Sequence, residues 1–190
     1  MKIGIIGAGK VGISLGYVLR GNGVDVCAIA DRLPSALETA RGFLGADMVY
    51  TADVMEVVGS CNVVAIATQD REISSLARAI FEAADDVTGK LFFHTSGADP
   101  SSILSPLDRK GAHLGSLHPL QTFPDIESAI EVLPDTSIFI EGDENALAVL
   151  RVIAGNLGAA VHTIAGKDKV LYHLAAVFVC NLLSALMYSG

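Results

Sequence analysis

Basic residues are scarce in this chain. Thirteen lysines and arginines stand against twenty-one aspartates and glutamates, for a net charge of −8. That balance does not suit a general binder of nucleic acid or of anionic membranes, and neither partner is expected. Cysteine is scarce too. Cys27, Cys61 and Cys180 sit singly in apolar runs without CxxC spacing. They read as core thiols of a reducing cytoplasm, and no metal site is expected. Long apolar runs are missing. The longest candidate, Leu174 to Met187, has 14 residues and is interrupted by Asn181 and Ser184, short of the roughly 20 that span a bilayer. A helix apolar on every side is expected to be buried, in a core or between subunits. A strand pattern starts at residue 3, so no signal peptide is expected. No cluster of arginines marks a phosphate or dicarboxylate site, so the expected substrate is small and neutral or modestly charged.

What is present is apolar and patterned. At 190 residues and 51% hydrophobic, the chain can form one ordinary domain with a sizeable core, or one domain plus a fragment. Residues 3–12 read Ile-Gly-Ile-Ile-Gly-Ala-Gly-Lys-Val-Gly, an apolar strand running into G-x-G-x-x-G. A helical run, Val11 to Arg20, follows, and a second strand, Val24 to Ala30, ends at Asp31. In that βαβ setting each glycine has a task. Gly7 permits the tight turn, Gly9 lets backbone approach a pyrophosphate, and Gly12 lets helix and strand pack closely. The helix start offers free N–H groups to phosphates. The loop Gly7, Ala8, Gly9, Lys10, Val11 and Gly12 is therefore expected to hold a dinucleotide, with Asp31 on the ribose hydroxyls. It is not a Walker A loop, because Val11 stands where that loop needs Ser or Thr. Asp31 favours NAD and Arg32 could pair with the 2′-phosphate of NADP, so NAD or NADP is expected, with a lean to NAD.

Strands are expected at Lys2–Ile6, Val24–Ala30, Met48–Tyr50, Val63–Ala67, Leu91–Thr95, Ala112–Leu117, Ser137–Ile140 and Ala160–Ile164. The rhythm implies a doubly wound, mostly parallel α/β sheet. Asp53 to Glu56 reads as a capping box. Asp143 is expected to cap a helix that stops at Gly158. From Gly166 the pattern becomes one long helix, starting near Lys167. The expected division is a dinucleotide-binding domain at 1–165 and the first helix of an all-α dimerisation domain at 166–190.

Ligands of open α/β sheets bind beyond the carboxyl ends of the strands. There the sequence places Thr68, Gln69 and Asp70, then Ser96, then His118-Pro119. Thr68, Gln69 and Asp70 are expected to face the cofactor. His118 is the first candidate for proton transfer, because imidazole titrates near neutrality. Ser96 is expected to bond the substrate oxygen or orient that imidazole. His94 is expected to pack inside, and His113 and His162 to be structural. His173 and Asn181, eight residues apart, share a helix face that could close the cleft, with Tyr172 on a neighbouring face. Lys167 and Lys169 read as solvated residues of a helix start.

Four strings carry a resemblance: HTSGADPSSILSPL (94–107), GSLHPLQTFPD (115–125), IEGDENALAVLRVIAGNLG (140–158) and KVLYHLAAVFVCNLLSAL (169–186). They resemble a bacterial family of Rossmann-like proteins assigned as oxidoreductases. That family joins a nucleotide domain to a helical C-terminal domain of unassigned function. It is related to the 6-phosphogluconate dehydrogenase, pyrroline-carboxylate reductase and deazaflavin-dependent NADP reductase groups. The resemblance implies a homodimer formed through a helical dimerisation domain, of which this sequence is expected to hold the first helix; the cytoplasmic location is expected from the thiols. Asp31-Arg32 departs from the Ser-Arg that the family often carries. A fainter similarity is to prephenate dehydrogenases, which place a serine after the fifth strand and His-Pro after the sixth. Ser96 and His118-Pro119 fit, whereas Leu120-Gln121-Thr122 does not. The Lys-x-x-x-Asn pair of hydroxyacid dehydrogenases is missing, since Val177 stands four residues before Asn181. The expected function is hydride transfer between NAD(P) and a small organic substrate. The alternatives are a non-catalytic NAD(P)-binding regulatory module, or an imine or deazaflavin reductase.

Overall fold

The structure is a computed structural model that describes residues 1–182, with side chains through residue 180. The elements run β1 (Lys2–Ile6), α1 (Lys10–Gly21), β2 (Asp25–Ala30), α2 (Pro34–Leu44), β3 (Val49–Thr51), α3 (Val54–Ser60), β4 (Val63–Ile66) and α4 (Asp70–Ala83). They continue with β5 (Leu91–His94), α5 (Ser105–Asp108), β6 (His113–Pro119), α6 (Ile126–Val132), β7 (Ser137–Gly142), α7 (Glu144–Asn156), β8 (Ala160–Thr163) and α8 (Lys169–Val177). The strands form one sheet in the order β3-β2-β1-β4-β5-β6-β7-β8. All neighbours are parallel except β6 and β7. The strand order reverses between β1 and β4, which opens a crevice at their carboxyl ends.

Alternation along the strands sends apolar side chains to both faces. Ile3, Ile5, Ala65, Phe93 and Leu117 pack with Ile13 and Leu15 of α1 and with Leu150 and Ile153 of α7. Ile6, Val64, Ile66 and Phe92 pack on the opposite face with Ile73 and Ile80 of α4 and with Leu107 of α5. Each such side chain, fully buried, contributes about 1.5–3 kcal/mol. Period-two alternation then puts His94, Ser116 and His118 on the α4 face. That face carries the polar cluster described below.

The strand bounds agree with the sequence reading to within one or two residues. β6 runs two residues further than expected, because β7 returns antiparallel and pairs His118 with Phe139 and Pro119 with Ile138. The capping box at Asp53 is half formed. The Asp53 carboxylate accepts from Met55 N–H at 2.8 Å, while the Asp53 N–H goes to the Thr51 hydroxyl at 2.9 Å. Asp143 caps α7 at Ala146 N–H, and Gly158 ends it with φ +77°.

The long helix expected from residue 166 is broken into parts. A 3₁₀ turn at Gly166–Asp168 leads into α8, and a π-helical turn follows at Phe178–Leu182. In its described part, to residue 180, it is also not buried in the core. Val170, Leu171, Leu174, Phe178 and Val179 are exposed, and the buried residue of α8 is Lys169. Among the thiols, Cys61 is buried and Cys27 is half-buried with its sulfur 3.3 Å from that of Cys61. Cys180 is exposed, so the expectation of a core thiol fails there. Among the described residues no helix is long and apolar enough to cross a membrane, and no cluster of His, Cys, Asp or Glu could hold a metal.

Candidate active site

Two places at the carboxyl edge of the sheet hold the residues singled out above. The first is the crevice over β1 and β4. Gly7 turns the chain with φ +108°, and a Cβ there would lie 2.6 Å from the carbonyl of Ala67. A Cβ at Gly12 would lie 2.0 Å from the Gly7 carbonyl, so only glycine lets α1 start this close to β1. Around Gly9 a Cβ would meet nothing within 4 Å. The open space belongs to a cavity of about 500 Å³ lined by Gly7, Gly9, Asp31, Arg32, Thr68 and Gln69, among others. The first N–H groups of α1 have no carbonyl partner within the helix. The Asp31 carboxylate braces this corner, accepting from Ala8 N–H at 2.8 Å and from Leu33 N–H at 2.9 Å. Each oxygen keeps a lone pair for a further donor. Room beside Gly9, free amides and a carboxylate in the cavity wall fit a dinucleotide. Ala8 and Val11 serve packing, and the Lys10 side chain is solvent-exposed. Asp70 lies elsewhere.

The second place is assembled over β5 and β6. His94 is buried, as expected. Its Nδ1 accepts from Ser96 N–H at 3.2 Å, which leaves Nε2–H to donate to the Pro100 carbonyl at 3.3 Å. These bonds shape the loop after β5. The Ser96 hydroxyl lies 2.9 Å from Asp70 and 3.0 Å from Asp99. It therefore bonds carboxylates and does not orient the His118 ring, because α4 brings Asp70 to the same end of the sheet. His118 instead has its Nδ1 3.0 Å from the hydroxyl of Tyr172. The His118 and His173 rings meet edge-on, with centroids 5.7 Å apart. A Cβ on Gly97 would lie 2.7 Å from His118 Nε2 and 2.4 Å from His173 Nδ1, so both nitrogens converge above this glycine. His173 Nδ1 is buried and has no partner within the described residues.

Beneath them lies Lys169, 1% exposed. Its ammonium donates to the Ser96 carbonyl at 2.9 Å and to the Ser116 hydroxyl at 2.7 Å. The expectation of a solvated lysine is wrong here, because α8 folds back over β6 and carries the side chain inward. A signal was available: Lys169, Tyr172 and His173 stand at i, i+3 and i+4 and so share one helix face. Nothing in the sequence marked Asp99 or Glu141.

Burial sets the charges. It pushes the Lys169 ammonium down to about 8, against the pull of Glu141, Asp99 and Asp70. Burial, aided by the Lys169 charge, pushes His94 to about 3. Burial, Lys169 and His173 together push His118 to about 4. The Tyr172 phenol is pushed up by burial and stays protonated. The expectation that His118 titrates near neutrality is therefore corrected: it is a neutral, hydrogen-bonding imidazole at pH 7. His162 stacks on Phe139 at 4.9 Å, and His113 stands at the opposite end of β6, 3.5 Å from Asp143. Asn181 falls in the π-helical turn, and its side chain lies outside the described residues.

The comparisons agree with this architecture. A model of a domain of unknown function, DUF2520, matches residues 136–190. No curated protein matches the chain. A Bacteroides fragilis protein provisionally named an NADP oxidoreductase is 25% identical, with a TM-score of 0.82 over 97% of this chain and 68% of its own. A Thermotoga maritima protein is 24% identical, with a TM-score of 0.72 over 98% of this chain and 66% of its own. The chain thus spans about two thirds of the length of these relatives. Prephenate dehydrogenase of Aquifex aeolicus, 16% identical, shares the fold with a TM-score of 0.73 over 99% of this chain and 72% of its own. The model of a Rossmann-like domain matches residues 1–119, from β1 to the end of β6. Over that parallel sheet and its glycine turn, the chain belongs to the Rossmann-like domain family.

Proposed function

We propose that this chain serves hydride transfer between a nicotinamide dinucleotide and a small organic substrate. The observation that carries this reading is the convergence of His118 Nε2 and His173 Nδ1 above Gly97, at the same sheet edge as the glycine-loop cavity. Gly7, Gly9, Gly12 and the α1 amides would hold the pyrophosphate, and Asp31 the adenosine ribose. A carboxylate there repels a 2′-phosphate and accepts from a free hydroxyl, which supports NAD over NADP. The naming of the Bacteroides relative as an NADP oxidoreductase supports the opposite preference, as does Arg32 in the same wall. When bound, the nicotinamide ring supplies the hydride acceptor or donor.

The chain's own residues supply position and protons. Tyr172 fixes the His118 ring through Nδ1 and leaves Nε2 toward the substrate hydroxyl. His173 Nδ1 lies beside Nε2 against Gly97, buried and without a partner among the described residues. Ser96 shapes the floor of the site and offers its carbonyl to Lys169. Lys169 holds a proton that it can release near pH 8. A second reading, an imine reductase, draws on the low His118 value: a protonated imine takes hydride without needing a proton from that ring. Residues 166–190 are read as the opening of a helical domain that pairs two copies, which the exposed apolar side chains of α8 support.

The test is His118→Ala, assayed for NAD(P) reduction with a panel of small alcohols, hydroxy acids and amines. Turnover should fall by about 100-fold or more while cofactor binding persists. Unchanged turnover would remove His118 from the chemistry. Turnover in neither form, with cofactor bound by both, would favour the regulatory module.

A further inference from the structure

We propose that Glu141, acting through Ser116, is the proton outlet of Lys169. This deepens the reading above, on which it rests, by giving the buried ammonium a route to water. A lysine that is 1% exposed cannot exchange its proton with solvent directly. Its two hydrogen-bond partners differ in what they can do. The Ser96 carbonyl accepts a proton's hydrogen bond but has no proton to hand on. The Ser116 hydroxyl both accepts and donates. It lies 3.4 Å from Oε2 of Glu141, the residue paired with Ser116 across the antiparallel β6–β7 ladder.

Glu141 is built into this place. Ser101 donates its N–H to Oε2 at 2.6 Å and its hydroxyl to Oε1 at 2.7 Å. A Cβ on Gly166 would lie 3.1 Å from Oε1, so the turn before α8 passes over the carboxylate with almost no room to spare. Glu141 is half-buried, in contrast to the fully buried Lys169. The step balances within the chain. Ser116 Oγ takes a proton from Lys169 Nζ as its own O–H proton passes to Glu141 Oε2. The ammonium becomes an amine and the carboxylate becomes an acid, which then releases its proton to water.

Other groups face Lys169. Asp99 does so from the loop after β5, Asp70 from α4, His94 from β5 and His118 from β6, the last of these also meeting His173 of α8. Both aspartates bond the Ser96 hydroxyl, so neither connects to Nζ through a group that can relay. Glu141 also comes first among the charges that hold the Lys169 proton on.

The experiment follows the Lys169 side chain in the full chain by NMR, with isotope-labelled lysine, in wild type, Glu141→Gln, Glu141→Asp and Ser116→Ala. Neither cofactor nor substrate is needed, so a failure of the hydride-transfer reading would not disturb the result. Glu141→Gln should lower the Lys169 midpoint by about one pH unit or more, since an opposing charge is lost in a partly buried site. Glu141→Asp should restore most of that. Ser116→Ala, which keeps the carboxylate, should slow exchange of the Lys169 ammonium protons with water. Unchanged proton exchange in Ser116→Ala overturns the proposal, whatever the Glu141→Gln midpoint. If Ser116→Ala fails to fold, unchanged exchange in Glu141→Gln overturns it instead.

Discussion

The glycine-loop corner and the lysine–histidine cluster sit on one sheet edge and are built in opposite ways. The corner is made of backbone from consecutive elements, β1, the start of α1 and the end of β2. Its chemistry comes from amides and from the absence of side chains. The cluster is made of side chains from β5, β6, β7 and α8, and the bond from Lys169 to Ser96 closes over 73 residues. The corner draws little on titratable groups, whereas the cluster holds two imidazoles and an ammonium with pKa values well below their ordinary ones. A site made of backbone tolerates pH and fails by steric insult. A site made of buried side chains does the reverse.

Acid should therefore act on the cluster. His94 and His118 stay neutral in the folded chain down to about 3 and about 4, while in the unfolded chain they protonate near 6.5. Below that value the unfolded state binds more protons, so the stability present above pH 6.5 is lost as pH falls. Between pH 7 and 4.5 the loss should be about 5 kcal/mol. Urea titrations at pH 7 and pH 4.5 measure it, and a flat profile would mean that both rings are well hydrated. Steric insult should act on the corner. Gly12→Ala sets a methyl 2.0 Å from the Gly7 carbonyl and should cost about 3 kcal/mol in chemical denaturation. Gly9→Ala meets open space and should leave stability within about 0.5 kcal/mol of wild type, while weakening dinucleotide binding.

Two smaller changes probe where each site ends. Gly97→Ala pushes on the ends of His118 and His173, which can give way. It should cost about 1–2 kcal/mol of stability and displace both rings, visible as changed imidazole NMR shifts. Asp31→Asn keeps an acceptor for one of the Ala8 and Leu33 amides and removes the charge. It should cost about 1 kcal/mol and move cofactor preference toward NADP. Equal affinity for NAD and NADP before and after would mean that Asp31 does not touch the ribose.

The same contrast explains what could be read from the chain. The doubly wound, mostly parallel sheet follows from the βαβ rhythm, and the corner follows from three glycines and Asp31, because local backbone geometry demands those residues at those spacings. His118 and Ser96 were legible as positions at strand ends but not as chemistry. Whether His118 bonds Ser96 or Tyr172 depends on how α8 crosses β6, which no local pattern encodes. Lys169 was misread for the same reason: flanked by Val170 and Leu171, it looks like a helix-start lysine until the fold turns it inward. Asp70 follows a strand that serves the corner, yet α4 aims its carboxylate at Ser96. Glu141 needed the antiparallel register of β7, and the sequence pattern alone does not set that direction.

The central claim is that the corner holds a nicotinamide dinucleotide. Thermal unfolding with NAD, NADH, NADP and NADPH, each at a hundred times its dissociation constant, tests it most directly. Ligand at that excess adds about 2.7 kcal/mol, a rise in Tm of roughly 5–10 °C for a chain of this size. That rise is expected with the NAD pair. No rise with any of the four would contradict the claim.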